Sequence, residues 1–131
     1  MTSFPVRTPE RECLVDVTPQ VARLVSDAGV AEGLCVVCVP HTTAGVTLNE
    51  SADPDVARDL LAFLAGAVPH RGPYRHVEGN SDAHIKTSLL GSSVTVPVSG
   101  GRLVLGTWQG LFLAEFDGPR QRTVHVVVAR G

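Results

Sequence analysis

Side chains capable of catalysis or ligand binding are concentrated in four short parts of this sequence. They are His41-Thr42-Thr43, Asn49-Glu50, residues 76–86 and residues 117–122. The third part alone contains two imidazoles, two carboxylates and one ammonium group. A surface loop needs none of these groups for its own stability, so the clustering predicts a binding or catalytic site.

Three of the histidines have the chemistry of metal ligands. His41, His76 and His84 could supply three neutral nitrogen ligands, with water in the fourth position of a zinc-type site. His76 and His84 are too far apart in sequence to share one helical face, so the loop between them must fold back. We predict that the three rings converge on a divalent metal of the zinc type. Magnesium is the alternative if the substrate is a diphosphate, because magnesium prefers oxygen ligands. The competing interpretation is three unrelated polar histidines in loops and caps.

A short helix predicted over residues 83–90 offers an anion site at its N-terminus. The first free N–H groups and the positive end of the helix dipole can hold a phosphate, with Lys86 one turn inside. Arg120 could clamp a second phosphate through its planar fork, and Ser92 could add a contact. In the competing interpretation Asp82 is only the N-cap of this helix, and the two cations are solvated surface charges.

The elements that must position these residues follow from hydrophobic spacing and from helix start and stop signals. Thr18-Pro19 and Asp53-Pro54 each predict a helix start, and Gly29 predicts the end of the first helix. The predicted strands are 13–15, 34–39, 43–48, 94–98, 103–105, 108–116 and 123–129. This order of elements predicts a single β-rich α+β domain with largely antiparallel, sandwich-like sheets and about three short helices.

Two strands have more apolar positions than one buried sheet face requires. Leu34–Val39 is apolar throughout, and Thr123–Ala129 nearly so, which predicts strands covered on both faces and therefore self-association. In the strand over 43–48, Gly45 predicts a β-bulge.

Composition and charge limit the classes of protein to which this chain can belong. The chain has 131 residues, a net charge of −2 and one lysine among its 11 Lys and Arg residues, which indicates one domain over 1–131 and argues against a nucleic-acid surface. There is no apolar run long enough to span a membrane and no secretion signal at the N-terminus, so we expect a cytoplasmic protein without a membrane partner. The three cysteines fit reduced thiols.

Four ordered segments resemble the YjbQ family, the secondary thiamine-phosphate synthase family, over nearly the whole chain. They are PHTTAGVTLNE (40–50), GNSDAHIKTSLLGSS (79–93), LGTWQG (105–110) and EFDGPR (115–120). The resemblance implies a homotrimer with a polar pocket whose histidines bind a metal. It places His41, His76 and His84 at the family's histidine positions. The matched segments contain the other predicted site residues. Those for catalysis are Glu50, Asp82 and Lys86, and those for substrate binding are Asn49, Asn80, Ser92, Trp108, Gln109 and Arg120. Ser51 departs from the asparagine that often follows the Asn-Glu pair.

Three functions remain open at this stage. The first is a transferase that joins a hydroxymethylpyrimidine diphosphate to a thiazole phosphate. The second is a metal-dependent hydrolase or lyase acting on a small phosphorylated metabolite, with Glu50 or Asp82 as the base. The third is a non-catalytic trimer that binds a metal or a metabolite.

Overall fold

The computed structural model describes residues 1–131 and contains eight strands and three helices. In chain order they are β1 (Thr2–Arg7), β2 (Cys13–Asp16), α1 (Thr18–Ala28), β3 (Glu32–Cys38), β4 (Ala44–Glu50), α2 (Pro54–Ala67), α3 (Ser81–Leu90), β5 (Ser93–Ser99), β6 (Arg102–Leu103), β7 (Gln109–Glu115) and β8 (Gln121–Arg130).

The strands form two antiparallel sheets. The five-stranded sheet has the order β1-β8-β3-β5-β6, and the three-stranded sheet has the order β2-β7-β4. A core rich in valine lies between them, and α1 contributes Val21 and Val25 to this core. The prediction of an α+β fold with sandwich-like antiparallel sheets is confirmed.

Local sequence explains where the helices begin and end. The Asp53 side chain accepts a hydrogen bond from the Asp55 N–H at the start of α2, and Pro54 occupies the first turn. Gly29 ends α1 with a φ of 65°, a left-handed conformation that glycine adopts without steric cost. α3 begins at Ser81, two residues before the predicted start. None of the three helices is long and apolar enough to cross a membrane.

Two details of the strands differ from prediction. Residues 2–7 form β1, which the sequence analysis missed because proline and polar residues interrupt its alternation. Gly45 makes no bulge, because β4 pairs with β7 in unbroken register from Ala44 to Glu50. A Cβ at Gly45 would collide with the Gly91 carbonyl oxygen, so this glycine allows the end of α3 to pack closely on β4.

The five-stranded sheet has one face covered within the chain. Along β3, Cys35 and Val37 are buried, whereas Leu34 on the other face is 48 % exposed. On the neighbouring β8, Val127 is 40 % exposed. The sequence predicted that both faces of these strands are covered. Within a single chain only the inner face is covered, and the outer face carries exposed apolar side chains.

Candidate functional site

Some of the chemistry-bearing residues meet at one end of the molecule. The β3–β4 and β7–β8 connections lie side by side there, because β4 and β7 are antiparallel and Ala44 pairs with Glu115. The start of α3 packs against the same end. Together these segments form a polar cleft of about 360 Å³, which we call the ionic lobe. It is lined by Pro40, His41, Thr42, Thr43, Glu78, Asn80, His84, Asp117, Arg120 and Arg122.

A buried ion pair forms the base of the ionic lobe. The Arg122 Nε donates to Glu115 Oε1 at 2.8 Å, and its Nη2 donates to the second carboxylate oxygen and to Thr43. The Thr8 hydroxyl and the Asp117 backbone N–H also donate to this carboxylate. Burial by itself raises the pKa of Glu115, but Arg122 and the other donors outweigh burial and hold that pKa below its usual value.

Arg120 is held over the ionic lobe by its own turn. Its Nε donates to the Asp117 carbonyl oxygen at 2.7 Å, and its Nη2 donates to Asp117 Oδ2 at 3.0 Å. Asn80 donates to the same carboxylate oxygen at 2.8 Å, while Asn80 Oδ1 is buried and has no hydrogen-bond partner. The Nη1 atoms of Arg120 and Arg122 make no hydrogen bond within the chain. These atoms are available to a ligand.

His41 is a neutral donor in the ionic lobe. Its Nε2 accepts the Thr123 backbone N–H at 3.0 Å, so the ring proton must lie on Nδ1. Burial lowers the pKa of His41, and the nearby Arg122 charge lowers it further. The Nδ1–H group can therefore donate to a ligand near neutral pH.

The three-histidine metal site is not assembled within one chain. His76 and His84 do come together, with ring centroids 5.3 Å apart in an edge-to-face contact. His41 shares the cleft with His84, but its Nε2 is engaged by the backbone. No group of three or more His, Cys, Asp or Glu side chains is arranged to hold a metal ion.

A second cavity of about 510 Å³ adjoins the first. It shares His41, Thr42 and His84 with the ionic lobe and is otherwise lined by Thr87, Ser88, Gly91 and Ser92. We call it the hydroxyl lobe. Two backbone hydrogen bonds fix its floor, from Val46 N–H to the Gly91 carbonyl oxygen and from Val39 N–H to the Ser92 carbonyl oxygen. Ser92 lines this second lobe and not the ionic lobe.

Lys86 and Asp82 are not in the cleft. The Lys86 ammonium is fully buried and donates to Asp82 Oδ2 and to Glu12 Oε2, each at 2.8 Å. Arg11 completes the network at Asp82 Oδ1. Burial raises the pKa of Asp82, but Lys86 and Arg11 outweigh burial and lower that pKa overall. Within one chain, Lys86 and Asp82 therefore belong to a buried ion-pair network and do not line the cleft, and Asn80, not Asp82, occupies the N-cap position of α3.

Four other predicted residues lie at the opposite end of the three-stranded sheet. Glu50 is the Cα partner of Gln109, and Asn49 is the partner of Gly110. Six residues of β4 separate Glu50 from the cleft end, a distance of about 20 Å. Trp108 is 62 % exposed beside them. Within one chain, Asn49, Glu50, Trp108 and Gln109 do not join the histidines.

The cleft residues Glu78, Asp117 and Arg122 lie within the predicted clusters 76–86 and 117–122, but the sequence did not assign them individual roles as site residues. Two signals in the sequence indicated buried ion pairs. A glutamate in an apolar strand, Glu115, needs a buried cation, and Arg122 opens the next strand. Asp82 and Lys86 have the i, i+4 spacing of a helical ion pair.

A third cavity lies elsewhere, between α1 and the Gly100-Gly101 turn. Its volume is about 570 Å³, and Arg102 is its only charged lining residue. Because it groups no other ionisable side chains, we assign the site to the two-lobed cleft.

We expect the protein to lose stability as pH falls. The pKa of His41 lies below 6.5, and those of Asp82 and Glu115 lie below 3.8 and 4.5. At each group the unfolded chain binds protons at higher pH than the folded chain, so acid favours unfolding. Protonation of His41 should begin to lower the stability below about pH 6.5, and protonation of Asp82 and Glu115 should lower it below about pH 4. Urea unfolding at pH 8, 5.5 and 3.5 measures the free energy of unfolding, and His41→Gln should reduce only the loss caused by His41. Equal stability at all three pH values would contradict the assignment.

Comparison with known proteins gives consistent matches over the whole chain. A family model described as "UPF0047 protein YjbQ-like" matches residues 2–131. A UPF0047 protein of Methanocaldococcus jannaschii is 50 % identical over 95 % of this chain and 91 % of its own. The YugU protein of Bacillus subtilis is 42 % identical over 96 % of each chain. A solved YjbQ/UPF0047-family structure from Clostridium acetobutylicum has a TM-score of 0.97 and 49 % identity, covering 98 % of this chain and 100 % of its own.

Proposed function

Since this chain belongs to the YjbQ-like UPF0047 family, we propose that its two-lobed cleft binds a small phosphorylated metabolite. We further propose that it acts as a transferase joining a hydroxymethylpyrimidine diphosphate to a thiazole phosphate. The proposed binding of a phosphorylated metabolite rests on the cleft itself. The proposed transferase reaction rests on the resemblance described above.

The observation that carries the proposal is the chemistry of the ionic lobe. Two arginines with free Nη1 atoms and one neutral imidazole donor line a cleft without a hydrophobic residue. Arginine guanidinium groups recognise phosphate oxygens by charge-assisted hydrogen bonds. Such a lobe favours an anionic, oxygen-rich group over an apolar one.

The proposed reaction needs little covalent help from the protein. The thiazole nitrogen attacks the methylene carbon of the pyrimidine, and the carbon–oxygen bond to the diphosphate breaks. The diphosphate leaves with that electron pair. Arg120, Arg122 and the His41 Nδ1–H group would stabilise the charge developing on the leaving oxygen, and the cleft would align the two substrates.

A magnesium ion would accompany a diphosphate substrate into the ionic lobe. The Asp117 and Glu78 carboxylates line this lobe and are oxygen ligands of the kind that magnesium prefers. They would hold the ion, which would neutralise part of the phosphate charge.

Direct product analysis separates this function from the other two. Purified protein given both precursors should form thiamine phosphate and release diphosphate, and Arg120→Ala should lower the rate at least tenfold. Turnover of phosphate esters without joined product would instead indicate a hydrolase. Binding without turnover would indicate a metabolite-binding protein. Glu50 is too remote from the cleft of its own chain to be the base for a hydrolase there.

We also propose that the chain is a cytoplasmic homotrimer, as the resemblance implies. The exposed apolar side chains of Leu34 and Val127 lie on the outer face of the five-stranded sheet, and a second copy would cover them. Sedimentation equilibrium at micromolar concentration should give three times the chain mass of 13.8 kDa. Leu34→Asp should shift the distribution toward smaller species. A particle of the single-chain mass would contradict the proposal.

A further inference from the structure

We propose that Thr8 is a positioning residue for phosphate binding, which holds Arg120 at a fixed place beside Arg122 in the ionic lobe. Thr8 follows β1 directly and lines neither lobe of the cleft, so it acts through Arg120 and does not touch a ligand. This inference rests on the proposed function for the ligand. It adds what keeps one of the two arginines in place.

The first support is a two-way contact between Thr8 and the backbone of Arg120. The Thr8 N–H donates to the Arg120 carbonyl oxygen at 2.8 Å, and the Arg120 N–H donates to the Thr8 hydroxyl oxygen at 2.9 Å. One residue, 112 positions away in sequence, therefore binds both backbone polar groups of Arg120. Thr8 is 1 % exposed and extends the β1–β8 pairing beyond Arg7 and Gln121, so this contact anchors the arginine to the core.

The second support is the place of the Thr8 hydroxyl between the two arginines. It donates to Glu115 Oε1 at 2.7 Å, the same oxygen that accepts from the Arg122 Nε. The Arg120 carbonyl oxygen is a second acceptor at 3.0 Å, but a hydrogen bond to a carboxylate is the stronger one. The hydroxyl therefore carries a chain of hydrogen bonds from the Arg120 N–H to the Glu115 carboxylate. Arg122 is bound at the far end of this chain.

The third support is the turn that carries Arg120. The Arg120 Nε and Nη2 are both bound to Asp117, so the side chain and the turn over residues 117–120 form one unit. The Asp117 N–H fixes the start of this turn on the Glu115 carboxylate. Thr8 fixes its end. Without the Thr8 hydroxyl, the end of the turn would keep only one of its two hydrogen bonds between Thr8 and the Arg120 backbone.

The position of the turn matters because a guanidinium binds phosphate oxygens through hydrogen bonds of fixed direction. Binding groups must be held within about 0.5 Å of the geometry that the ligand requires. A turn that is loose at one end would place Arg120 over a range of positions relative to Arg122. A ligand that contacts both arginines must then restrict that range when it binds, and this ordering weakens its affinity.

Calorimetric titration of inorganic diphosphate tests the inference on the full chain. Thr8→Val removes the hydroxyl but keeps the backbone N–H and the shape of the side chain, and Thr8→Ser keeps the hydroxyl. The double variant of Thr8→Val with Arg120→Ala measures whether the hydroxyl acts through Arg120. Thr18→Val is the matched control, because the Thr18 hydroxyl oxygen also accepts a distant backbone N–H, that of Leu111 at 2.8 Å, but lines neither lobe.

We expect Thr8→Val to bind diphosphate about three- to tenfold more weakly than the wild type, the effect of one hydrogen bond. Thr8→Ser and Thr18→Val should bind within about twofold of the wild type. In the Arg120→Ala background, Thr8→Val should have no further effect, which a general loss of structure would not produce. If Thr8→Val does not fold, Thr8→Ala, which also lacks the hydroxyl, takes its place.

Four results would overturn the inference. They are wild-type affinity in Thr8→Val, a failure of Thr8→Ser to restore binding, equal weakening in Thr8→Val and Thr18→Val, and an undiminished effect of Thr8→Val in the Arg120→Ala background.

Amide hydrogen exchange keeps this inference apart from the proposed function. If the wild type does not bind diphosphate, the proposed function fails, and the positioning of Arg120 is then tested without a ligand. Exchange at the Arg120 N–H should become about tenfold faster in Thr8→Val, beyond any change at the amides of β3, because the end of the turn opens locally. Equal changes at Arg120 and in β3, or no change at Arg120, would overturn the inference as well.

Discussion

Glu115→Ala should lower the free energy of unfolding by about 3–5 kcal/mol, the largest effect that we expect from a single substitution. The substitution leaves Arg122, which is 5 % exposed, without the carboxylate that now accepts from its Nε and Nη2. It also removes one of the two acceptors of the Thr8 hydroxyl, the other being the Arg120 carbonyl oxygen. Urea unfolding of wild type and variant at pH 7 measures the difference.

Glu10→Ala is the matched control, because the Glu10 side chain is exposed and makes no hydrogen bond. It should change the unfolding free energy by less than about 0.5 kcal/mol. A loss below 1 kcal/mol for Glu115→Ala would mean that water reaches the Arg122 guanidinium and that the ion pair is not buried in solution.

Lys86→Met should lower the free energy of unfolding by a similar amount, about 3–5 kcal/mol, and leave the affinity of the folded protein for diphosphate unchanged. The ammonium lies between the Asp82 and Glu12 carboxylates, and its removal leaves Asp82 fully buried with Arg11 as its one remaining cation. Thermal unfolding and calorimetric titration at low temperature measure the two quantities separately.

A compensating variant makes the Lys86 prediction sharper. Adding Asp82→Asn to Lys86→Met removes the unpaired charge and should recover at least half of the lost stability. If Lys86→Met instead weakened diphosphate binding tenfold with little change in stability, Lys86 would be a ligand-binding residue after all.

Local signals in the sequence account well for the helices and turns. The Asp53-Pro54 start of α2, the Gly29 end of α1 and the turn at Gly100-Gly101 depend only on neighbouring residues. Both turn glycines have positive φ, of 58° and 75°, as a tight hairpin between β5 and β6 requires. These features do not depend on how distant segments pack, so the sequence was sufficient.

The roles of the charged residues were harder to predict, because their partners are distant in sequence. Lys86 pairs with Glu12 across 74 positions, and Thr8 pairs with Glu115 across 107. Clustering in sequence placed Lys86 beside His84, but α3 turns the two side chains to different environments. His84 lines the cleft, whereas Lys86 points into the protein. The packing of residues 8–12 against α3 and β7 determines that Lys86 is buried, and this packing depends on segments that are distant in sequence.

The positions of a second set of predicted site residues were also hard to predict. These residues are Asn49, Glu50, Trp108 and Gln109. Similarity to a family places these residues in motifs, but a motif does not fix where in space its members lie. In the structure the PHTTAGVTLNE segment runs along β4, so its histidine and its glutamate are at opposite ends of one strand. The single chain therefore brings together only part of the predicted site.

The central claim, that the cleft binds phosphate groups through Arg120, is tested most directly by titrating inorganic diphosphate into wild type, Arg120→Ala and Arg58→Ala. Arg58 is a matched control, because each arginine pairs at 3.0 Å with an aspartate three residues earlier, Asp117 and Asp55 respectively. Arg120→Ala should weaken binding by about 1.5–3 kcal/mol, roughly 10- to 150-fold in Kd, while Arg58→Ala should bind like the wild type. Wild-type affinity in Arg120→Ala, or equal weakening in both variants, would contradict the claim.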